Sequence, residues 1–281
     1  MPYITVEDSN IYYKIFGQGY PLLIMHGGPG VDHKYMLSLK KLSENYRLIF
    51  IDLRGNGRSK ISNYNKLNFD YFTSDIENLR NHLSINKWAV LGHSFGGMVG
   101  QEYAVRYPHN LTHLILIDTG CNSRIVQEDA PHILRNWGYD KNSVIWANRF
   151  FNGKLTTYQI PYALFKFGKA YYYKMNLLTA IRSLKGKHNS KTFLKWFSSN
   201  FKGWDISEKI KNIHVPTLII AGKYDFQFPP EHQRFLAEQI NKSTLILINN
   251  AGHNTPIECP DILNKEIQKF LNNYSISKNT T

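Results

Sequence analysis

The 281-residue chain has only two cysteines, Cys121 and Cys259, far apart and without metal-type spacing. That argues against a disulfide framework and points to a reducing, cytoplasmic setting. No apolar run is long enough to span a bilayer. The opening MPYITVEDSNIYYKIFG has neither the basic start nor the apolar core of a secretory signal. HExxH, clustered Cys/His ligands and a Walker loop are all missing, so no metal and no cofactor is expected. Acidic residues are also scarce. Twenty-one Asp and Glu stand against 34 Lys and Arg, a net charge of +13. Such a charge suits nucleic acid, an anionic membrane or an anionic substrate. However, the basic residues are scattered, with no basic block, RRM signature or zinc-finger spacing. The partner expected is therefore a small-molecule substrate, not a specific nucleic acid.

What is present is a globular composition, 42% hydrophobic and 20% charged. ITVE and IYYKIF flank Asp8-Ser9-Asn10 and read as an edge hairpin. LLIM (22–25), RLIFID (47–52), WAVLGH (88–93), THLILID (112–118), TLIIAG (217–222) and TLILIN (244–249) are short, rich in Leu, Ile and Val, and bounded by turn residues. They read as strands buried on both faces, as in a parallel sheet. Helical patterns fall at 69–84, 95–107, 231–240 and 262–271. The alternation predicts a doubly wound α/β fold. It breaks between Cys121 and Asp205, where aromatics crowd and where Lys141 to Gly203 holds many Lys and Arg but no Asp or Glu. We read 1–120 and 206–281 as the two parts of one core and 121–205 as an inserted helical cap.

The strand WAVLGH runs into Ser94-Phe95-Gly96-Gly97, and a helical pattern follows at once. Gly-x-Ser-x-Gly alone is a weak signal. Between a buried strand and a helix it is strong, because glycines at both flanks let the backbone crowd where a Cβ would clash. Ser94 then stands at a helix N-terminus, which favours developing negative charge. A serine hydroxyl needs a base, and the base needs an orienting acid. Asp225 follows TLIIAG and His253 follows TLILIN, in the order Ser, acid, His. Asp118, ending THLILID, is the reserve acid. Asp52 precedes the nucleophile and reads as structural. For the oxyanion hole, the Phe95 N–H and a donor from His26-Gly27-Gly28-Pro29-Gly30 are expected, Gly28 first and Gly27 second. His26 and His93 read as buried structural histidines. Gly27, His93, Trp146 and Phe226 are further candidates for substrate contact. Asp52-Leu53-Arg54-Gly55-Asn56-Gly57-Arg58-Ser59 lacks the GxGxxG form and reads as a tight connection.

Taken together, HGGPG, DLRGNGRS, GHSFGG, GKYD and AGHNTPIECP resemble the α/β-hydrolase fold along nearly the whole chain, and within it the proline iminopeptidase branch. Related esterases and lactonases also carry HGGPG. The resemblance implies a cofactor-free serine hydrolase with an inserted cap. Iminopeptidases of this branch need carboxylates for the substrate ammonium, because a buried unpaired cation is costly. One such acid commonly follows the catalytic Asp, but here Phe226, Gln227 and Phe228 follow Asp225. Glu128 and Asp129, at the cap entrance, are the remaining candidates. GHSFGG is also nearer the general esterase form. A small hydrophobic ester or lactone is therefore expected first and an N-terminal proline substrate second. A non-catalytic ligand receptor on the same fold is the alternative of another class.

Overall fold

A computed structural model describes residues 2–183 and 186–273. Among the described residues, nine strands form one sheet: β1 (Tyr3–Val6), β2 (Ser9–Phe16), β3 (Tyr20–Met25), β4 (Tyr46–Ile51), β5 (Lys60–Ile61), β6 (Trp88–His93), β7 (Leu111–Ile117), β8 (Thr217–Gly222) and β9 (Ser243–Ile248). The spatial order is β1-β2-β4-β3-β6-β7-β8-β9, with the short β5 paired to β2. β1 and β2 form an antiparallel hairpin at one edge, as the sequence predicts, and β2 joins β4 antiparallel. β5 also pairs antiparallel with β2, and every pairing from β4 onward in the spatial order is parallel.

The central strands are buried on both faces, hence their unbroken Leu, Ile and Val. Side chains alternate between two cores, as the strand period of two requires. Leu23, Met25 and Val90 face one core, which they share with α1 (Phe69–His82), α2 (Phe95–Arg106) and α8 (Pro230–Gln239). Leu22, Ile24 and Leu91 face the other, beneath α10 (Pro260–Asn273) and the segment His33–Glu44. The sequence patterns above do not mark that segment. It is a run of 3₁₀ turns whose buried Met36, Leu39 and Leu42 recur every three residues, the period of that helix. Elsewhere the helices agree with the predicted ones to within a few residues at each end.

Between β7 and β8 the chain makes a helical insert: α3 (Ala130–Asn136), α4 (Lys141–Phe151), α5 (Ile160–Phe167), α6 (Leu177–Ser183) and α7 (Ser190–Lys195). α9 (Thr255–Glu258) is a single turn just before α10. The two ends of the insert meet at a bridge between Asn122 and Asp205. Ser123 N–H donates to Trp204 O at 2.7 Å and Ile206 N–H to Cys121 O at 2.9 Å, so the insert leaves and rejoins the core at one place. Aromatic contacts fill its interior, with Phe150 against Phe151, Phe167 and Phe193.

Candidate active site

β6 lies between β3 and β7, and Ser94 follows its last residue. The turn is sharp: Ser94 has φ 51° and ψ −118°, in the region L-residues avoid. Glycine is obligatory around it. A Cβ on Gly92 would lie 2.2 Å from Gly96 O, and one on Gly96 would lie 2.6 Å from His26 O. The strained turn is locked on both sides. Ser94 N–H donates to Ile117 O at 2.8 Å, and Ser94 O accepts from the Gly97 and Met98 N–H groups and from the Thr119 hydroxyl. The turn aims the side chain away from the sheet and onto the N-terminus of α2.

Three of the predicted residues meet there. Ser94 Oγ is 3.0 Å from His253 Nε2, and His253 Nδ1 is 2.9 Å from Asp225 Oδ2. The second carboxylate oxygen, Oδ1, accepts from the Gln227 N–H at 2.8 Å and the Phe228 N–H at 3.0 Å. Because the carboxylate only accepts, Nδ1 carries the hydrogen and Nε2 is left to take the Ser94 proton. All three residues are buried, with Ser94 the most exposed at 6%. Burial opposes a charged His253. The charge of Asp225 and its hydrogen bond, with Asp118 and Glu258 beyond, outweigh that and hold the imidazole above its ordinary value.

The glycine loop after β3 lies against Ser94. A Cβ on Gly27 would be 3.0 Å from Ser94 Cβ and 2.7 Å from His93 Nδ1. Gly27 and Gly28 are then told apart by their hydrogen bonds. The Gly27 N–H donates to the Tyr35 hydroxyl at 2.6 Å and is not free for a substrate. Gly28, at φ 93°, is the remaining candidate of the pair. Phe95 N–H belongs to the first turn of α2, where backbone donors lack intrahelical partners.

His93 serves the structure. Its Nε2–H donates to His253 O at 3.0 Å, and its Nδ1 accepts from the Tyr35 hydroxyl at 2.6 Å. Both nitrogens are thus spent inside the protein, which favours the structural reading over substrate contact. A relay of hydrogen bonds runs from Gly27 through Tyr35 and His93 to the backbone of His253. Tyr35 was not singled out from sequence, since its partners lie 8 and 58 residues away. His26 is structural too: Nδ1–H donates to Gly27 O at 2.5 Å, Nε2 accepts from Leu53 N–H at 3.1 Å, and burial lowers its basicity.

Asp118, the reserve acid, takes other partners. It accepts from Gly222 N–H at 3.0 Å and from the Thr255 hydroxyl at 2.6 Å, so it ties β7 to β8 and to the loop after His253. Burial pushes its carboxyl above the usual range. Asp52 accepts from the His33 N–H at 2.9 Å and the Arg58 N–H at 2.8 Å, a structural role as expected. The DLRGNGRS connection is anchored by buried Arg54, which holds Asp75 with two hydrogen bonds and Asp8 with a third.

The insert packs its aromatics onto the site. Tyr171 lies with its ring centroid 5.5 Å from that of His253 and 5.2 Å from that of Phe226. Phe228 stands 5.7 Å from His253, and Trp196 stands 4.8 Å from Phe95. Phe226 thus lies one ring away from the histidine. Trp146 does not join it: its ring meets Tyr162 and Arg149 within the insert. Glu128 and Asp129 are turned to Arg124 and His232. Glu258, also not singled out from sequence, accepts from Gly252 N–H and Tyr173 N–H at 2.8 Å each, so its carboxylate pins the insert to the His253 loop. A second fastening joins Asn189 N–H to Gly30 O, Lys187 N–H to Asp32, and the Thr192 hydroxyl to Gly55 O. No cluster of His, Cys, Asp and Glu suited to a metal occurs among the described residues. Nor is any of their helices long and apolar enough to cross a membrane.

A strand–serine–helix turn at mid-sheet, with an aspartate and a histidine after later strands, suits a hydrolase, and the chain belongs to the α/β hydrolase fold family, whose model matches residues 20–260. It is similar to the proline iminopeptidase of Saccharolobus solfataricus, 30% identical over 98% of this chain and 93% of the relative. Among solved structures it is similar to the proline iminopeptidase of Mycobacterium smegmatis, with TM-score 0.79, 20% identity and 98% of each chain covered. It is also similar to the esterase EaEST of Exiguobacterium antarcticum, with TM-score 0.74, 21% identity, and 94% of this chain and 96% of the other covered.

Proposed function

We propose that this chain is a serine hydrolase that forms an acyl-enzyme on Ser94, with a small hydrophobic carboxylic ester or lactone as substrate. The observation that carries the reading is the unbroken hydrogen-bonded line from Ser94 through His253 to Asp225. As Ser94 Oγ attacks the acyl carbon, its proton passes to His253 Nε2. The carbonyl electron pair becomes an oxyanion facing the Gly28 and Phe95 N–H groups. Collapse expels the alkoxide, which takes the proton from His253. Water then repeats the sequence and frees the acid and Ser94. Asp225 stays charged throughout and stabilises the imidazolium. Residues 121–205 act as a cap. With Ser94 only 6% exposed, the cap opens to admit substrate. The two unpaired thiols suit a cytoplasmic enzyme.

Preference for an ester over an N-terminal amide rests on the carboxylates. Asp225 and Asp118 hold protein partners, Glu258 holds two backbone N–H groups, and Glu128 and Asp129 face other side chains. Asp118, Asp225 and Glu258 are thus occupied, and Glu128 and Asp129 face Arg124 and His232 nearer the surface, so a buried ammonium group would be costly to hold. The second reading, an iminopeptidase, is favoured by the name of the Saccharolobus relative. The test puts wild type and Ser94→Ala on p-nitrophenyl butyrate and L-proline p-nitroanilide. Ester turnover that vanishes in Ser94→Ala, without anilide turnover, is expected. Efficient anilide cleavage would replace the substrate reading, and equal rates for the two proteins would remove Ser94 as nucleophile. Stoichiometric binding without turnover of either would indicate a receptor.

A further inference from the structure

Nine of the thirteen large apolar side chains exposed among the described residues lie in the insert, between Trp137 and Ile181. They are not scattered evenly. On α5 the outward positions Tyr162, Leu164 and Phe165 are all apolar, and Tyr158 in the turn before it continues the row at helical spacing. Tyr158 is 92% exposed and Phe165 81%. α4 extends the face through Ile145, which is exposed, and Trp146, whose ring meets Tyr162 at 4.8 Å. Contiguous apolar surface of this kind marks a place where something binds.

The charge around it says what. Residues 141–203 carry twelve Lys and Arg and no acid. Two of these cations flank the aromatic pair directly: Arg149 lies over the Trp146 ring at 5.0 Å and Lys166 over the Tyr162 ring at 5.5 Å. The neighbouring carboxylate, Asp140, is engaged in capping α4 through Ser143. A second copy of the chain would bring the same acid-free surface opposite itself, and like charges would repel. Aromatic and aliphatic side chains among basic ones, on a helix too short to cross, match the boundary of a bilayer with anionic headgroups. We propose that the outer face of α4 and α5 docks the protein on an anionic phospholipid membrane, with Tyr158, Tyr162 and Phe165 entering the headgroup layer and Arg149 and Lys166 meeting phosphates. The proposal does not depend on which acyl compound Ser94 attacks.

Vesicle sedimentation tests it. Purified protein is mixed with vesicles of phosphatidylcholine alone, or with about one-third phosphatidylglycerol. Wild type is expected to pellet with the anionic vesicles only, and less as salt rises. Tyr158→Ser with Phe165→Ser, and separately Arg149→Glu with Lys166→Glu, should each weaken that partition about tenfold. Both variants should retain wild-type circular dichroism and wild-type turnover of soluble p-nitrophenyl acetate, or share its lack of turnover if the hydrolase reading is wrong. Failure of wild type to pellet, equal pelleting with neutral vesicles, or undiminished pelleting of both variants would overturn the proposal. So would a lipid-independent dimer in light scattering that Tyr158→Ser with Phe165→Ser dissolves, which would give the face to a second copy.

Discussion

The sheet core and the helical insert hold their parts in place by different means. In the core, each functional polar group has assigned partners: Ser94 O with three donors, Asp225 with three, and His93 with two. In the insert, rings pack on rings, and bonds at Glu258, Asp32, Gly30, Gly55, Glu102, Leu67 and Asn254 fasten it to the core. Directional bonds fix side chains to a fraction of an ångström, which the proposed chemistry needs. Ring packing fills space while tolerating displacement, which suits the cap role proposed for the insert.

The contrast predicts that core variants lose rate while insert variants change access. The largest effect should come from Ser94→Ala, with kcat down by about a millionfold and Tm within a few degrees of wild type. A variant that keeps even a hundredth of wild-type kcat would move the nucleophile elsewhere. Next comes Asp225→Asn, which leaves His253 in the wrong tautomer and should cost about ten-thousandfold in kcat. If Asp118→Asn instead gave the greater loss, the acid would have been misassigned. Gly28→Ala puts a Cβ at φ 93° and 2.9 Å from Val31 Cγ2, and should cost roughly a hundredfold in kcat with less effect on KM. Tyr35→Phe strips the partner from the Gly27 N–H and His93 Nδ1. It should lower stability by about 1–3 kcal/mol in chemical denaturation and slow kcat less than the Gly28 change.

The smallest effect separates the fastening from the chemistry. His253 must be neutral to accept the Ser94 proton, and its basicity is raised in the folded protein. The acid limb of kcat/KM should therefore fall above the ordinary histidine value of about 6.5. Glu258→Gln removes one of the negative charges that favour the imidazolium, so the limb should move to lower pH. The amide oxygen also offers only one side for Gly252 or Tyr173, and the insert should open more readily, seen as faster proteolysis between Tyr171 and Asn176. An unmoved limb with unchanged proteolysis would show that Glu258 neither charges the site nor holds the insert.

Legibility in the sequence divides along the same line. The parallel strands were readable because burial on both faces demands unbroken Leu, Ile and Val, and each run ends at turn residues. That Ser94, Asp225 and His253 come together is readable because each follows such a run. The His33–Glu44 segment was not, since its three-residue period matches neither helix nor strand templates. Tyr35 and Glu258 were hidden because their roles are bonds to backbone atoms or to distant side chains, which leave no local pattern. In the insert, aromatic abundance announced packing but could not say which rings face inward. Tyr171 meets Phe226 beside the histidine, whereas Trp146 turns to the outer helices.

The bridge between Asn122 and Asp205 has a consequence for how such a protein changes over time. Because the insert departs and returns through one pair of neighbouring residues, the sheet does not register how long the excursion is. Helices can be gained, lost or exchanged there without shifting the register of β7 against β8. A lineage can therefore rebuild that excursion while inheriting the sheet, and what the sheet carries, unaltered.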